Sequence, residues 1–341
     1  MTQRSPFLEA LHCRNFSSRP PVWIMRQAGR YMPEYRAIRG KYSFLEMVKT
    51  PELAAKITNL PIQRFGFDAA ILFSDILTIT ESLGFPVRFE EGIGPVYDTP
   101  LKMDTPLESL RPVRPIEEVC SYVADAIKLT KSHLNVPLIG FCGAPFTVAS
   151  YMIEGQSSRD LKKTKQWIYR HPSSFLKLLD IIADATIEYL EMQIRAGVDA
   201  IQIFDSWTNV LTESQFVLFA SHIHAKIINK LNHHSIPIIL FCRGSGPFAH
   251  HLAKAKPHAL GFDWTCSLKG IRSQLPPGIA LQGNLDPCAL FGTKENLIKQ
   301  VNVLLNEMEG DPGYIFNLGH GILPDVSPNA VETLMEIIKS R

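Results

Sequence analysis

Eight short apolar runs recur along the chain, each followed by a polar or Gly/Pro break and then a longer stretch with helical spacing. They are PVWIM (21–25), AAILFSD (69–75), VPLIGFC (136–142), AIQIFDS (200–206), IPIILFC (236–242), ALGFDW (259–264), IALQGNL (279–285) and YIFNLGH (314–320). Nearly continuous apolar runs of this length predict strands buried on both faces. Amphipathic stretches such as SFLKLLDIIADATIEYLEMQIRAG, ENLIKQVNVLLNEM and NAVETLMEIIKS predict the helices that cover them. Eight such units in 341 residues fit an α/β fold of the (β/α)8 TIM-barrel type better than an open doubly wound sheet. Residues 85–101, FPVRFEEGIGPVYDTPL, have hairpin character and read as an insertion after the second unit. No low-complexity tract or Gly/Ser linker divides the chain, so one domain spanning 1–341 is expected.

A parallel barrel places its working residues at the C-terminal ends of its strands. Arg26, Asp75, Asp205, Ser206, Arg243, Asp263, Asn284 and His320 each follow an apolar run, and the register predicts that they converge on one mouth. Strand ends adjoin loops in any protein, so the convergence carries more weight than any single member.

Composition narrows the picture. Hydrophobic residues make up 45% and charged residues 20%, as in a globular protein with a substantial core. A net charge of +2 leaves no bulk basic surface for nucleic acid or acidic lipid. No run approaches the roughly 18 apolar residues of a membrane span, and the N-terminus lacks a long apolar signal core. The six cysteines form no C-x-x-C pair and several lie in apolar runs, which suggests reduced, buried thiols. A cytoplasmic location is expected.

Against this near-neutral background, Arg26, Arg30, Arg36 and Arg39 crowd into fourteen residues with one acid, Glu34. A solvated helix face is the simple explanation of such a run. However, Arg26 and Arg30 flank the small residues Gln27-Ala28-Gly29 directly after a strand, where backbone and ligand can approach closely. Guanidinium groups there suit two-pronged recognition of carboxylate or phosphate. No G-x-x-x-x-G-K-[ST] loop or G-x-G-x-x-G turn argues for a nucleotide. Asp75, with apolar residues on both sides, is either a helix cap or an acceptor waiting at the mouth.

MRQAGRYMPEYR, FDAAILFSDIL, GFCGAPFTVASYMIEG, IQIFDSW, GFDW, LQGNLDP and FNLGHGILPDVSP follow one another from near residue 21 to past 325. In that order they resemble the uroporphyrinogen decarboxylase family over nearly the whole chain. The resemblance implies a barrel enzyme, usually a homodimer, that needs no metal or organic cofactor. Such an enzyme converts the four acetate side chains of uroporphyrinogen III to methyl groups, giving coproporphyrinogen III. It further implies that Arg26 and Arg30 bind carboxylates with Gln27, Ala28 and Gly29 beside them. Asp75 becomes the central acceptor for the pyrrole N–H groups, and Tyr151, Ser206 and His320 become further substrate contacts. Taken alone, each of these three has a plainer explanation: a core tyrosine, a helix cap and a loop histidine. The small-molecule substrate carries eight carboxylates, which accounts for the local arginines.

Loss of CO2 needs an electron sink, and a pyrrole protonated beside its acetate-bearing carbon supplies one. Asp75 would face the resulting cation; Arg26, Tyr151, His320 and water are all candidates for the proton donor. Departures from the family pattern are small: Gln156 and Ser157 after EG, LFCRGSG where a Thr-Lys-Gly-Gly form is commoner, and Ser206 where Thr is frequent. The rival resemblance is to zinc-dependent corrinoid:thiol methyltransferases, which need a His-x-Cys pair and a later Cys. Here the corresponding positions read Leu240-Phe241-Cys242 and His320. A barrel that merely binds porphyrin, with histidines as axial ligands, would have no need of Asp75.

Overall fold

The computed structural model describes residues 5–110 and 115–341. Seven of the eight apolar runs become strands of one parallel sheet: β1 (Ala70–Ile71), β4 (Leu138–Gly143), β5 (Ala200–Asp205), β6 (Ile238–Cys242), β7 (Ala259–Gly261), β8 (Ala280–Leu285) and β9 (Tyr314–Leu318). They neighbour one another in chain order, as right-handed strand–helix–strand units require. Between β1 and β4 the hairpin strands β2 (Arg88–Glu90) and β3 (Gly94–Val96) pair antiparallel, within the expected insertion. The hairpin leans on the end of helix Pro145–Glu154, through Tyr97 N–H to Gly155 O at 2.7 Å and Leu101 N–H to Met152 O at 2.8 Å.

The eighth run closes the ring. Val22 bridges Phe316 of β9, Phe316 N–H donates to Pro21 O at 2.9 Å, and on the other side Asp68 N–H donates to Val22 O at 2.8 Å. Proline at positions 20 and 21 withholds donors from this stave, so it forms a bridge rather than a long ladder.

Side chains alternate across the wall. Trp23, Ala69, Ile139, Ala200, Ile239, Phe241, Ala259, Ala280 and Ile315 fill the lumen together with Phe7, Ala10 and Leu11 of helix Pro6–Leu11. Their neighbours Val22, Leu138, Ile201, Ile203, Leu240, Leu260, Leu281 and Phe316 face the surrounding helices. A polar chain crosses the lumen, from Trp23 Nε1 to Gln282 Oε1 at 2.9 Å and from Gln282 Nε2 to Gln202 Oε1 at 3.3 Å. The lumen is therefore solid, and a ligand can enter only from the mouth.

The wall opens at one seam. After Leu72 N–H donates to Ile139 O at 3.0 Å, the ladder between β1 and β4 lapses, and it resumes only where Gly143 N–H meets Ile76 O at 3.1 Å. Helix side chains fill the gap. Gln193 of helix Pro172–Ala196 accepts from Phe141 N–H and donates to Phe141 O, both at 2.9 Å. Thr58 Oγ1 accepts from Phe73 N–H at 2.9 Å. Freed from the ladder, the chain at Ser74-Asp75 can turn toward the mouth. Gln193→Leu removes both partners of a buried peptide group and should cost about 2–4 kcal/mol in urea unfolding. A loss below about 0.5 kcal/mol would show that the seam does not depend on Gln193.

Candidate active site

Ala69 and Ile71 pack against the lumen core, but strand alternation ends there: Phe73 packs among the outer core against Tyr35 and Phe44, and the released chain turns at Asp75. Its Oδ1 accepts from Leu77 N–H at 2.8 Å, while its carbonyl accepts from Thr78 Oγ1 at 2.8 Å. Oδ1 anchors the turn that leads into the 3-10 helix Thr78–Glu81, whose N-cap position is held by Leu77 rather than by Asp75. Burial pushes the carboxyl up to about 6, against the lowering effects of the Leu77 amide and the Arg26 charge. Near neutral pH it is mostly ionised, poorly solvated and short of counter-charge.

Arg26 stands at the end of the first stave in the left-handed region, with φ 61°. Buried Gln27 builds that turn: its Oε1 accepts from Ile24 N–H at 3.3 Å and its Nε2 donates to Ala69 O at 3.2 Å. Its backbone is engaged too, with N–H to Ile24 O at 3.0 Å and its carbonyl accepting from Tyr31 Oη at 2.7 Å. Gln27 thus shapes the loop and offers no free polar group. Ala28 and Gly29 differ, because among the described residues their amides meet no protein acceptor. Successive free amides after a left-handed residue form a nest suited to an anion.

The four arginines separate into two pairs. Arg36 Nη1 donates to the carbonyls of Arg30 and Tyr31 at 2.8 and 3.0 Å, and Arg39 Nη1 donates to Tyr42 O at 3.0 Å. Both staple the loop. Glu34, the one local acid, pairs with Arg64 at 2.7 Å instead. Arg26 and Arg30 are exposed and, among the described residues, carry no ion pair. Arg30 opens on a recess of about 630 Å³ shared with Arg36, Tyr31, Asp325 and Pro324. It thus sits on the rim rather than beside Asp75.

His320 lies against Arg26. A Cβ at Gly321 would crowd the Arg26 side chain, 2.8 Å from its Cγ and Nε, and one at Gly319 would lie 2.6 Å from the Trp264 backbone nitrogen. These two close approaches explain why the histidine is flanked by glycines. Burial lowers the His320 pKa to about 4, helped by the charges of Arg26 and Arg243 and opposed by Asp263. The imidazole is neutral at pH 7, with one N–H to donate and one lone pair.

Tyr151, on helix Pro145–Glu154, meets Trp207 edge-on at 5.8 Å, and burial raises its pKa within reach of the Asp75 and Arg26 charges. Ser206 follows β5 with the inward parity of Ala200 and Gln202 and is half-buried. Arg243, which the sequence placed at the mouth without a role, shares the inward parity of Ile239 and Phe241. It is half-buried, has no ion pair among the described residues, and acts on His320 from the wall opposite Arg26. Its signal was legible: a charged residue two positions beyond an inward Phe241.

Three of the polar strand ends do not join this group. Asp205 has the outward parity of Ile201 and Ile203, so it points into the helix layer. There it is fully buried, accepting from Thr147 Oγ1 at 2.5 Å and meeting His224 Nε2 at 2.8 Å. Asp263 is engaged by Gly244 N–H at 2.6 Å, Thr265 N–H at 3.0 Å and the Thr265 hydroxyl. Asn284 Nδ2 donates to the carbonyls of Asp263 and Cys266 at 2.8 and 2.7 Å. These residues bolt the loops that carry Arg243 and Trp264. Cys242 likewise faces outward beside Asp205, with its thiol pKa raised far by burial, so the β6 cysteine of the methyltransferase reading is not presented to the mouth.

The raised Asp75 pKa has a stability consequence with a definite sign. Between the ordinary value of 3.8 and about 6 the folded state holds a proton the unfolded chain has lost, so stability falls as pH rises through that window. Asp75→Asn lacks this loss. In urea unfolding the variant should gain on the parent from pH 4 to 6.5 by about 1–3 kcal/mol and hold that gain above; a difference flat with pH would mean that Asp75 is well solvated.

A family model described as uroporphyrinogen decarboxylase (URO-D) matches residues 2–341. A uroporphyrinogen decarboxylase from Protochlamydia amoebophila is 54% identical, covering 98% of this chain and 91% of its own length. Another from Geobacter metallireducens is 47% identical, with 94% of each chain covered. Among solved structures, a methyltransferase from Methanosarcina mazei superposes with a TM-score of 0.83 over 99% of both chains. At 21% identity that likeness speaks for the barrel fold alone. Full-length agreement with the family model and with relatives near half-identical establishes that the chain belongs to the uroporphyrinogen decarboxylase family, the carboxy-lyases of porphyrin biosynthesis.

Proposed function

We propose that Asp75 is the central acceptor for the pyrrole N–H groups of uroporphyrinogen, and that Arg26, Arg30 and Arg243 hold its carboxylates from opposite sides of the mouth. The observation that carries this reading is the unbalanced charge: a desolvated carboxylate faces Arg26 in a pocket whose cations have no protein partners among the described residues. A substrate with N–H donors at its centre and carboxylates around its edge completes both halves. Each charge-assisted contact contributes roughly 1.5–3 kcal/mol. The Ala28 and Gly29 amides receive a carboxylate beside Arg26. Neutral His320, Tyr151 and Ser206 supply hydrogen bonds without adding charge.

Decarboxylation then proceeds on the substrate's own ring. A proton adds to the pyrrole carbon beside the acetate-bearing one, leaving an iminium-like cation. The C–C bond to the carboxylate breaks, its electrons neutralise the ring, and CO2 departs. Protonation of the exocyclic methylene gives the methyl group, and the ring carbon releases the proton it first gained, restoring the pyrrole, so each cycle replaces one carboxylate by one proton. Asp75 is already in place where positive charge develops, which lowers the barrier without reorganisation. The same reading takes residues 1–341 as one domain that works as a homodimer in the cytoplasm. Family likeness supports that assignment; among the described residues no helix is long and apolar enough to cross a membrane.

Anaerobic incubation with uroporphyrinogen, followed by oxidation and chromatography, should give a ladder from eight to four carboxylates. Asp75→Asn should stay folded by circular dichroism while losing at least ~100-fold in kcat; near-normal turnover would remove the central role. The acidic limb of kcat/KM should have its midpoint near pH 6, following Asp75, and should persist in His320→Asn. Arg243→Gln should raise KM about 10-fold with little change in kcat, as loss of uniform binding requires; an unchanged KM would place Arg243 outside the site.

A further inference from the structure

The end of the barrel opposite the mouth carries a cluster that the decarboxylation chemistry does not use. Helix His222–Leu231 runs into a 3-10 turn, Asn232–His234, closed by Ser235 in the left-handed region at φ 53°. The turn precedes β6, so it lies on the base side, beside the last turns of helix Pro172–Ala196, whose end leads into β5. Two successive histidines occupy it, their ring centroids 3.8 Å apart.

Each ring is prepared differently. His233 Nδ1 lies 2.8 Å from Lys230 O, and since a carbonyl can only accept, Nδ1 carries the proton and Nε2 keeps its lone pair. A backbone carbonyl holding the other ring nitrogen is the usual way a ligating imidazole is oriented. His234 Nε2 is buried and has no hydrogen-bond partner. The nearest carboxylate oxygen, Glu191 Oε1, stands 3.8 Å away, too far for a hydrogen bond. Ligating atoms of Glu191, His233 and His234 all lie within 4.8 Å of one another.

We propose that Glu191, His233 and His234 form a binding site for a divalent transition ion of the zinc class, separate from the decarboxylation pocket. Zinc bound tetrahedrally at ~2.0–2.1 Å from each donor sets ligand atoms about 3.3 Å apart. Reaching that value requires the His234–Glu191 pair, 3.8 Å apart, and the other donor pairs, all within 4.8 Å, to draw together by side-chain rotation. Two imidazoles and one carboxylate suit zinc, cobalt or nickel rather than calcium or magnesium, and leave a fourth position for water. The ion gives the orphaned His234 nitrogen a partner and ties the turn to helix Pro172–Ala196.

Two other donor clusters are less suited. In Glu213, His250 and His251 the carboxylate already accepts from His251 at 2.8 Å, and Lys254 Nζ stands 3.5 Å from the same ring. Asp205, His224 and Cys242 are wholly buried, with Asp205 held by Thr147 and His224.

The test is a titration of the chelator-treated, desalted full chain with Zn2+ by calorimetry and with Co2+ by absorption. The parent should bind Zn2+, and its melting temperature should rise when Zn2+ is about 100-fold above Kd. Glu191→Gln and His234→Ala should each weaken this binding at least ~10-fold, the expected cost of losing a ligand, and abolish the thermal shift. His251→Ala should keep both. Binding that survives in Glu191→Gln and His234→Ala, or is lost in His251→Ala alone, overturns the assignment, as does a parent that binds neither ion. Glu191→Gln is nearly isosteric and part-exposed, so it reports even where His234→Ala folds poorly. Turnover of both variants should stay within about twofold of the parent, since the cluster lies at the far end of the barrel.

Discussion

Closure of the barrel through a proline-led stave is the constraint on which the site depends. Pro21–Trp23 bridges β9 on one side and the approach to β1 on the other, through three backbone contacts. Two consequences follow. Arg26 emerges from the stave directly above the lumen, and the loop carrying His320 and Gly321 is drawn against it, with Ile322 N–H on Met25 O at 2.9 Å and Met25 N–H on Asn317 Oδ1 at 3.0 Å. First and last units of the chain, far apart in sequence, thus supply the cation and the imidazole of one mouth.

The pocket is electrostatically incomplete because nearby charges are satisfied elsewhere. Glu34 is drawn off by Arg64, Arg36 and Arg39 are consumed by carbonyls, and Asp205 and Asp263 are buried in networks of their own. What remains is a poorly solvated carboxylate facing the unpaired Arg26, with Arg30 at the rim and Arg243 across the mouth. Collapse of Asp75 onto Arg26 as an ion pair would relieve both and leave nothing for a ligand to complete. Instead Asp75 is held back by the Leu77 amide, and Arg26 by its left-handed backbone and the wall of Gly321. Under the proposed reading, a substrate anionic at its edge and N–H-rich at its centre would complement that arrangement.

The seam between β1 and β4 shows how a fold makes room for function. A regular eight-stranded wall would carry the chain past Asp75 in extended form. Gln193 and Thr58 take over the hydrogen bonds that an uninterrupted β1 would have made, so the strand turns inward without orphaning buried peptide groups.

Much of this was legible in one dimension. Apolar runs with helical stretches between them determined the strands and their order, since a strand buried on both faces has to be apolar throughout. The motif MRQAGRYMPEYR and the isolated Asp75 pointed to the candidate site, because unneutralised charge beside apolar sequence has few structural uses. Sequence alone could not separate Arg26 and Arg30 from Arg36 and Arg39, since which guanidinium finds a carbonyl depends on how the loop turns in space. Nor could it tell Asp205 from Ser206 or give Arg243 its place. Adjacent strand residues face opposite sides of the wall, so a shift of one position decides between the mouth and the helix layer, and only the tertiary register settles it.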